Sequence, residues 1–289
     1  MKLLLLLSLC LSTLGFANNF ESNFANQASK FLDALDPEQR SECLLPADDP
    51  KRWKMQYTGG KRAGLAIGKL NESQKQIFHN TLKLILSKEG WDMAQKVALQ
   101  DGHDAWNNYY IACFGDPRES KNFTFRLAEH HLTIVHISFQ NGATSEFGPI
   151  LLGANPASLW KKDELALMEL WKKANDPSLL IKGKKAIASR AMPKGDGKQF
   201  STLNTTAQEQ LKHCWDLRLR IFTPEIKSIL NRHLKENGGF KSAKLAFYNR
   251  APTQRCIDGG KWDFNCQIGK LLFDYEGSRS HIHMSLWVR

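Results

Sequence analysis

Apolar residues along this chain recur with two periods. Phe24, Ala28, Phe31, Leu32 and Leu35 fall at three- and four-residue spacing, which predicts a helix over roughly 24–35. Asp36-Pro37 then restarts the chain, and Pro37 suits the first turn of a second short helix. Asn71 reads as a cap for a helix whose stripe is Ile77, Phe78, Leu82, Ile85 and Leu86, closed by Gly90. Further helices are predicted over 91–99, 162–173, 206–217 and 224–236. The alternating period predicts strands over 51–57, 108–114, 123–127, 131–139, 147–152, 245–250, 270–275 and 280–287. The strand at 123–127 reads as running directly into 131–139, and Asn141-Gly142 marks a hairpin. Residues 182–204, rich in Lys, Gly, Ser and Thr, read as a long loop. The order of helices, strands, helices, strands predicts an α+β fold, a mixed or antiparallel sheet with helices around it and a helical N-terminal segment. No internal repeat is evident.

The first residues add a compartment. Lys2 precedes an apolar run from Leu3 to Leu14, and Gly15-Phe16-Ala17 supplies small residues for cleavage. Residues 1–17 are therefore expected to be an export signal, and residues 18–289 a single domain in the periplasm or outside the cell. The run is short for a membrane span and no later segment replaces it, so stable membrane insertion is not expected. The formal charge of +11 then reads as a solvated basic surface or an envelope-facing one, because nucleic acid is not a partner available to an exported protein. Beyond Cys10 the chain holds Cys43, Cys113, Cys214, Cys256 and Cys266, an odd number. Asp258-Gly259-Gly260 can turn the chain back between the last two, which makes Cys256–Cys266 the expected disulfide.

Candidate chemistry lies in two short clusters, Glu129-His130-His131 and His281-Ile282-His283. A strand alternates its side chains between two faces, so His281 and His283 are expected to point the same way. His130, His131, His281 and His283 are candidate ligands for a zinc, copper or iron ion, with His136 ranked below them. Glu129 is the candidate general base or a further ligand. Arg62, Arg126 and Asn155 are candidate contacts for a small anionic substrate. Three functional classes fit these residues: a metalloenzyme, a non-catalytic binder of a metal or small ligand, and a basic envelope interaction module.

The run Arg126-Leu127-Ala128-Glu129-His130-His131-Leu132-Thr133, followed by Gly153-Ala154-Asn155-Pro156-Ala157, resembles the DUF3500 family. Its usual text there is close to R-x-E-G-H-H-L-S and then G-A-N-P-A; here Ala128 and Glu129 replace the Glu-Gly. Trp53, Tyr57, Gly64-Leu65 and Phe114-Gly115 look like that family, as do Phe247-Tyr248-Asn249-Arg250, Phe273-Asp274-Tyr275 and the late H-x-H, so the resemblance runs over most of the chain. It implies a shape and a set of residues, but no established reaction.

Overall fold

The computed structural model describes residues 20–53, 60–100, 102, 104–128, 132–154, 157–184, 191–279 and 281–288. The export-signal reading, and the readings placed on Glu129, His130, His131 and Asn155, lie outside the described residues.

The first helix, α1, spans residues 20–34. Asp36 then caps α2 (Pro37–Cys43) with a reciprocal Asp36/Gln39 box, and Asn71 caps α3 (Glu72–Lys83) the same way with Gln74. Ser87 caps α4 (Lys88–Leu99). Two short strands, β1 (Leu44–Leu45) and β2 (Leu65–Ala66), flank β3 (Tyr110–Phe114). A meander continues through β4 (Phe123–Ala128), β5 (Leu132–Gln140) and β6 (Ala143–Ala154). The second half follows with α5 (Lys161–Ala174), β7 (Leu180–Lys182), β8 (Lys198–Gln199), α6 (Thr205–Leu219) and α7 (Pro224–Glu236). It closes on a meander of β9 (Ala243–Asn249), β10 (Asp263–Ile268), β11 (Leu271–Ser278) and β12 (His281–Val288). The fold is α+β, as its periods predict.

Among the described residues twelve strands form one mixed sheet ordered β1-β3-β4-β5-β6-β12-β11-β10-β9-β7, with β2 on β3 and β8 on β9. That order is a palindrome in architecture. In each half a short strand lies parallel to the first meander strand and another antiparallel to it. Two helices and a four-stranded meander follow. The last strands of the two meanders, β6 and β12, pair antiparallel at the centre. Between α3 and α4, and between α6 and α7, the backbones also meet symmetrically. Ser87 N–H donates to Ile221 O and Thr223 N–H to Ile85 O, both at 2.9 Å. The Ser87 hydroxyl donates to Arg220 O and the Thr223 hydroxyl to Leu84 O, again both at 2.9 Å. A repeat absent from the side-chain text is present in the hydrogen-bond pattern.

The inner face of the sheet carries the helices. Phe24 of α1 meets Phe125, Trp171 of α5 meets Phe247, and Trp215 of α6 meets Phe273. Trp160, Trp215 and Trp262 are fully buried, and each such aromatic contributes roughly 2–3 kcal/mol on removal from water.

Several expectations are corrected. Residues Pro50–Trp53 form a 3-10 turn rather than the start of a strand. The segment 123–139 is not one strand: β4 and β5 fold back on each other, with Phe123 opposite Phe139. β10 was hidden inside the loop expected around Asp258-Gly259-Gly260. No disulfide joins Cys256 to Cys266; the five described cysteines are buried free thiols. The turn does form, since Gly259 and Gly260 donate back to Cys256 O and Arg255 O. However, Cys256 stays beside Gly277, whose N–H donates to Trp262 O. β10 carries Cys266 four residues beyond Trp262, roughly 13 Å away, whereas a disulfide needs Cα atoms within about 7 Å. Burial pushes the Cys43, Cys214 and Cys256 thiols up to about 12, so they stay protonated and unreactive.

Gly90 does not close α3; it lies inside α4, where a Cβ would stand 1.9 Å from Ile221 O. Helix propensity alone favours alanine there by about 1 kcal/mol. Close packing reverses the sign, so Gly90→Ala is expected to destabilise the fold by about 1–3 kcal/mol in urea unfolding. A stabilised variant would show that the two halves do not meet at this point.

Candidate functional site

The sheet's outer face, opposite the helices, collects polar groups on β10, β11 and β12. Alternation puts Asp263 and Asn265, then Asp274 and Glu276, then His281, His283 and Ser285 on that face, because Phe264, Phe273, Tyr275 and Met284 take the inner one. The register lines them into rows. Asp263 stands opposite Glu276 and Glu276 opposite His283, while Asn265 stands opposite Asp274. Asp263, Asn265, Asp274 and Ser285 are all buried.

The histidine pair closes on itself. His281 Nε2 and His283 Nε2 are 2.7 Å apart, with ring centroids 4.3 Å apart and planes at 71°. Behind them, Glu276 Oε2 lies 3.5 Å from His283 Nδ1. A carboxylate at Nδ1 favours the proton on that nitrogen and leaves the Nε2 lone pair of His283 facing His281. A separation of 2.7 Å between the two imidazole nitrogens is a hydrogen-bond distance, so one ring donates and the other accepts. On the other side of β12 the register neighbour of His283 is Gly153.

The next row is anchored from both faces. Asp274 accepts from Ser285 N–H at 2.8 Å and from the Ser285 hydroxyl at 2.6 Å. From the inner face Arg218 of α6 donates to Ser285 O at 2.9 Å and Asp274 O at 3.0 Å. Its Nε lies 3.5 Å from Asp163 of α5, which Arg220 also meets at 2.7 Å. A buried ion network on the helix side therefore fixes the backbone on which the outer-face groups sit.

The described ends of the central strands show what shares this edge. Ala128 stands opposite Thr133, Leu132 opposite Leu152, and Leu152 opposite Met284, one residue from His283. β4 thus ends, at Ala128, and β5 begins, at Leu132, on the side of the sheet where β12 begins. Among the described residues no group of three or more His, Cys, Asp or Glu side chains forms a metal-holding set.

Of the anion-contact candidates, Arg62 and Arg126 come together elsewhere, lining one cavity with Lys51 and Lys61. Arg126 projects from β4 onto the outer face, since its neighbour Phe125 meets α1. His136 is opposite Arg126 on β5. Asp263, Asn265, Asp274, Glu276 and Ser285 were not singled out from the sequence as site residues. Their signal was Asp274 and Glu276 two apart in an apolar strand, in phase with H-x-H across one turn.

Asp274→Ala removes the acceptor of two buried donors, and is expected to cost about 2–4 kcal/mol in urea unfolding, against about 1 kcal/mol for Ser285→Ala. Equal losses would mean that the backbone N–H of Ser285 finds another acceptor.

Among the described residues no helix is long and apolar enough to cross a membrane. No curated protein and no solved structure matches the chain. The model of one family, described as protein of unknown function (DUF3500), matches residues 18–182. The late H-x-H and the strands around it lie beyond that stretch. With more than half of its length matched, the chain belongs to the DUF3500 family.

Proposed function

We propose that this chain is an exported protein that binds a transition metal ion, zinc, copper or iron, through His281 and His283. The observation that carries the reading is the 2.7 Å approach of the two Nε2 atoms, with Glu276 at the opposite nitrogen of His283. Carboxylate behind imidazole is the arrangement that orients a metal-binding histidine and raises its basicity. The covalent link between Ala128 and Leu132 holds three more groups of ligand type, Glu129, His130 and His131. Two imidazoles from β12 and one or two groups from that link would make a three- or four-ligand set suited to these ions. A three-ligand set would leave one position open, where the ion would supply Lewis acidity, and Glu129 is the candidate general base. Export accords with the apolar run from Leu3 to Leu14.

Elemental analysis of the purified mature chain is expected to find about one equivalent of metal, or to do so after loading and dialysis. The double variant His281→Ala, His283→Ala is expected to fall to background while keeping its circular dichroism spectrum. Glu276→Gln is expected to retain the ion with affinity about 10- to 100-fold weaker. A wild-type chain that takes up no metal overturns the reading.

A further inference from the structure

We infer a second, separate binding site on the first half of the sheet: a cleft over the outer face of β4, β5 and β6 receives an acidic amino acid. The cleft holds about 440 Å³, within the range of roughly 300–1,000 Å³ of small-molecule sites. Its charged lining is Arg52, Glu146 and Lys270. Arg52 lies in the 3-10 turn after β1, and Lys270 in the turn between β10 and β11. Glu146 is on β6, which in strand order stands between those two flanks. Two cations on the flanks and one carboxylate between them complement, charge for charge, a molecule with two carboxylates and one ammonium.

The backbone places each of these groups. Arg52 donates from Nη1 to Ala47 O at 3.2 Å, and its guanidinium lies 5.5 Å from the centre of the Trp53 ring. A carbonyl and a ring face aim a guanidinium without cancelling its charge. Gly115 has φ +82°, and a Cβ there would stand 2.8 Å from Asn122 O and 3.2 Å from the Ala47 Cβ. Its lack of a side chain lets the segment carrying Ala47 and Arg52 lie against the start of β4. On the other flank Lys270 N–H donates to Asn237 Oδ1 at 2.7 Å, and the Asn237 amide donates to His233 O at 2.9 Å, so the end of α7 fixes that turn. The floor between is hydroxyl. Thr124 Oγ1 and Ser138 Oγ are buried and 2.8 Å apart, and hydroxyls serve an ammonium or a carboxylate equally.

The row beneath the cleft is the counterpart of the histidine row. Thr124 stands opposite Phe114 and Ser138, and Ser138 opposite Glu146. In the second half Asp263 stands opposite Tyr248 and Glu276, and Glu276 opposite His283. Strand for strand, Glu146 therefore holds the place of His283, Ser138 that of Glu276 and Thr124 that of Asp263. Both rows lie on the outer face; in the first half Phe125 and Phe147 take the inner one, where they meet Phe24 and Phe222. The repeated backbone thus presents one row twice. In the first half two hydroxyls replace two carboxylates, and a single carboxylate remains. That is too few ligands for a transition ion, whereas a carboxylate beside hydroxyls is a receptor for an ammonium.

Isothermal titration of the full mature chain with L-glutamate and L-aspartate tests this, with L-alanine, L-lysine and D-glucose as controls. Saturable binding of one equivalent of at least one of the two acidic amino acids is expected, about tenfold or more tighter than any control. Lys270→Gln and Glu146→Gln are each expected to weaken it about tenfold. Lys270 is exposed and Glu146 half-buried, so both variants are expected to keep the wild-type circular dichroism spectrum. Glutarate, which lacks the ammonium, supplies a readout that a damaged fold would not give. The wild type is expected to bind it several-fold more weakly than L-glutamate, and Glu146→Gln to bind it no worse than the wild type does. No saturable binding of either acidic amino acid, equal binding of L-lysine or D-glucose, or unchanged affinity in the two variants overturns the inference. Metal content is expected to be unaffected by these changes, and the His281→Ala, His283→Ala variant is expected to bind the amino acid normally, so this site and the metal reading stand or fall separately.

Discussion

The antiparallel pairing of β6 with β12 joins two halves that would otherwise be separate four-stranded meanders with exposed edges. An unpaired strand edge is a row of unsatisfied donors and acceptors, and each half supplies the edge that the other needs. On the helix side the junction is repeated by the Leu86–Phe222 bridge, with its matched pair of backbone bonds between Ser87, Ile221, Thr223 and Ile85. Gly90 belongs to this junction, because only a residue without Cβ lets α4 come so close to Ile221.

The register of that seam also sets the chemistry. Placing His283 opposite Gly153 brings the start of β12 level with the ends of β4, β5 and β6. A slip of one residue would turn His281, His283 and Ser285 toward the helices and Met284 outward. Arg218 opposes such a slip from below. It donates to the carbonyls of both Asp274 and Ser285, tying β11 and β12 to α6, while Asp163 and Arg220 hold its charge.

The outer face thus carries unlike side chains in related places. On β10–β12 it holds imidazoles and carboxylates, the ligand types of a cation. Near β4 and its flanking segment, Arg62 and Arg126 line one cavity with Lys51 and Lys61. The repeated backbone tolerates both because the strand and cap positions constrain only geometry. Arg126 and Asn265 occupy matching register positions and differ wholly in chemistry.

The amino-acid sequence alone determined the helices, most strands and the α+β class. Those follow from local spacing: Phe24, Phe31 and Leu32 on one helical stripe, capping residues such as Asn71 at a helix start, and Asn141-Gly142 at the hairpin, where both residues take positive φ. It also showed that His281 and His283 share a face, which the two-residue period of a strand dictates. Only the tertiary structure decided that 123–139 turns back on itself, that Cys256 and Cys266 stand apart, and that Gly90 is a packing residue rather than a stop. It alone brought Glu276 to His283, Asp274 to Ser285 and Arg62 to Arg126. These outcomes depend on which strands become neighbours and in what register, and that is settled by hydrogen bonds and close contacts between residues far apart in the chain, which no local spacing records.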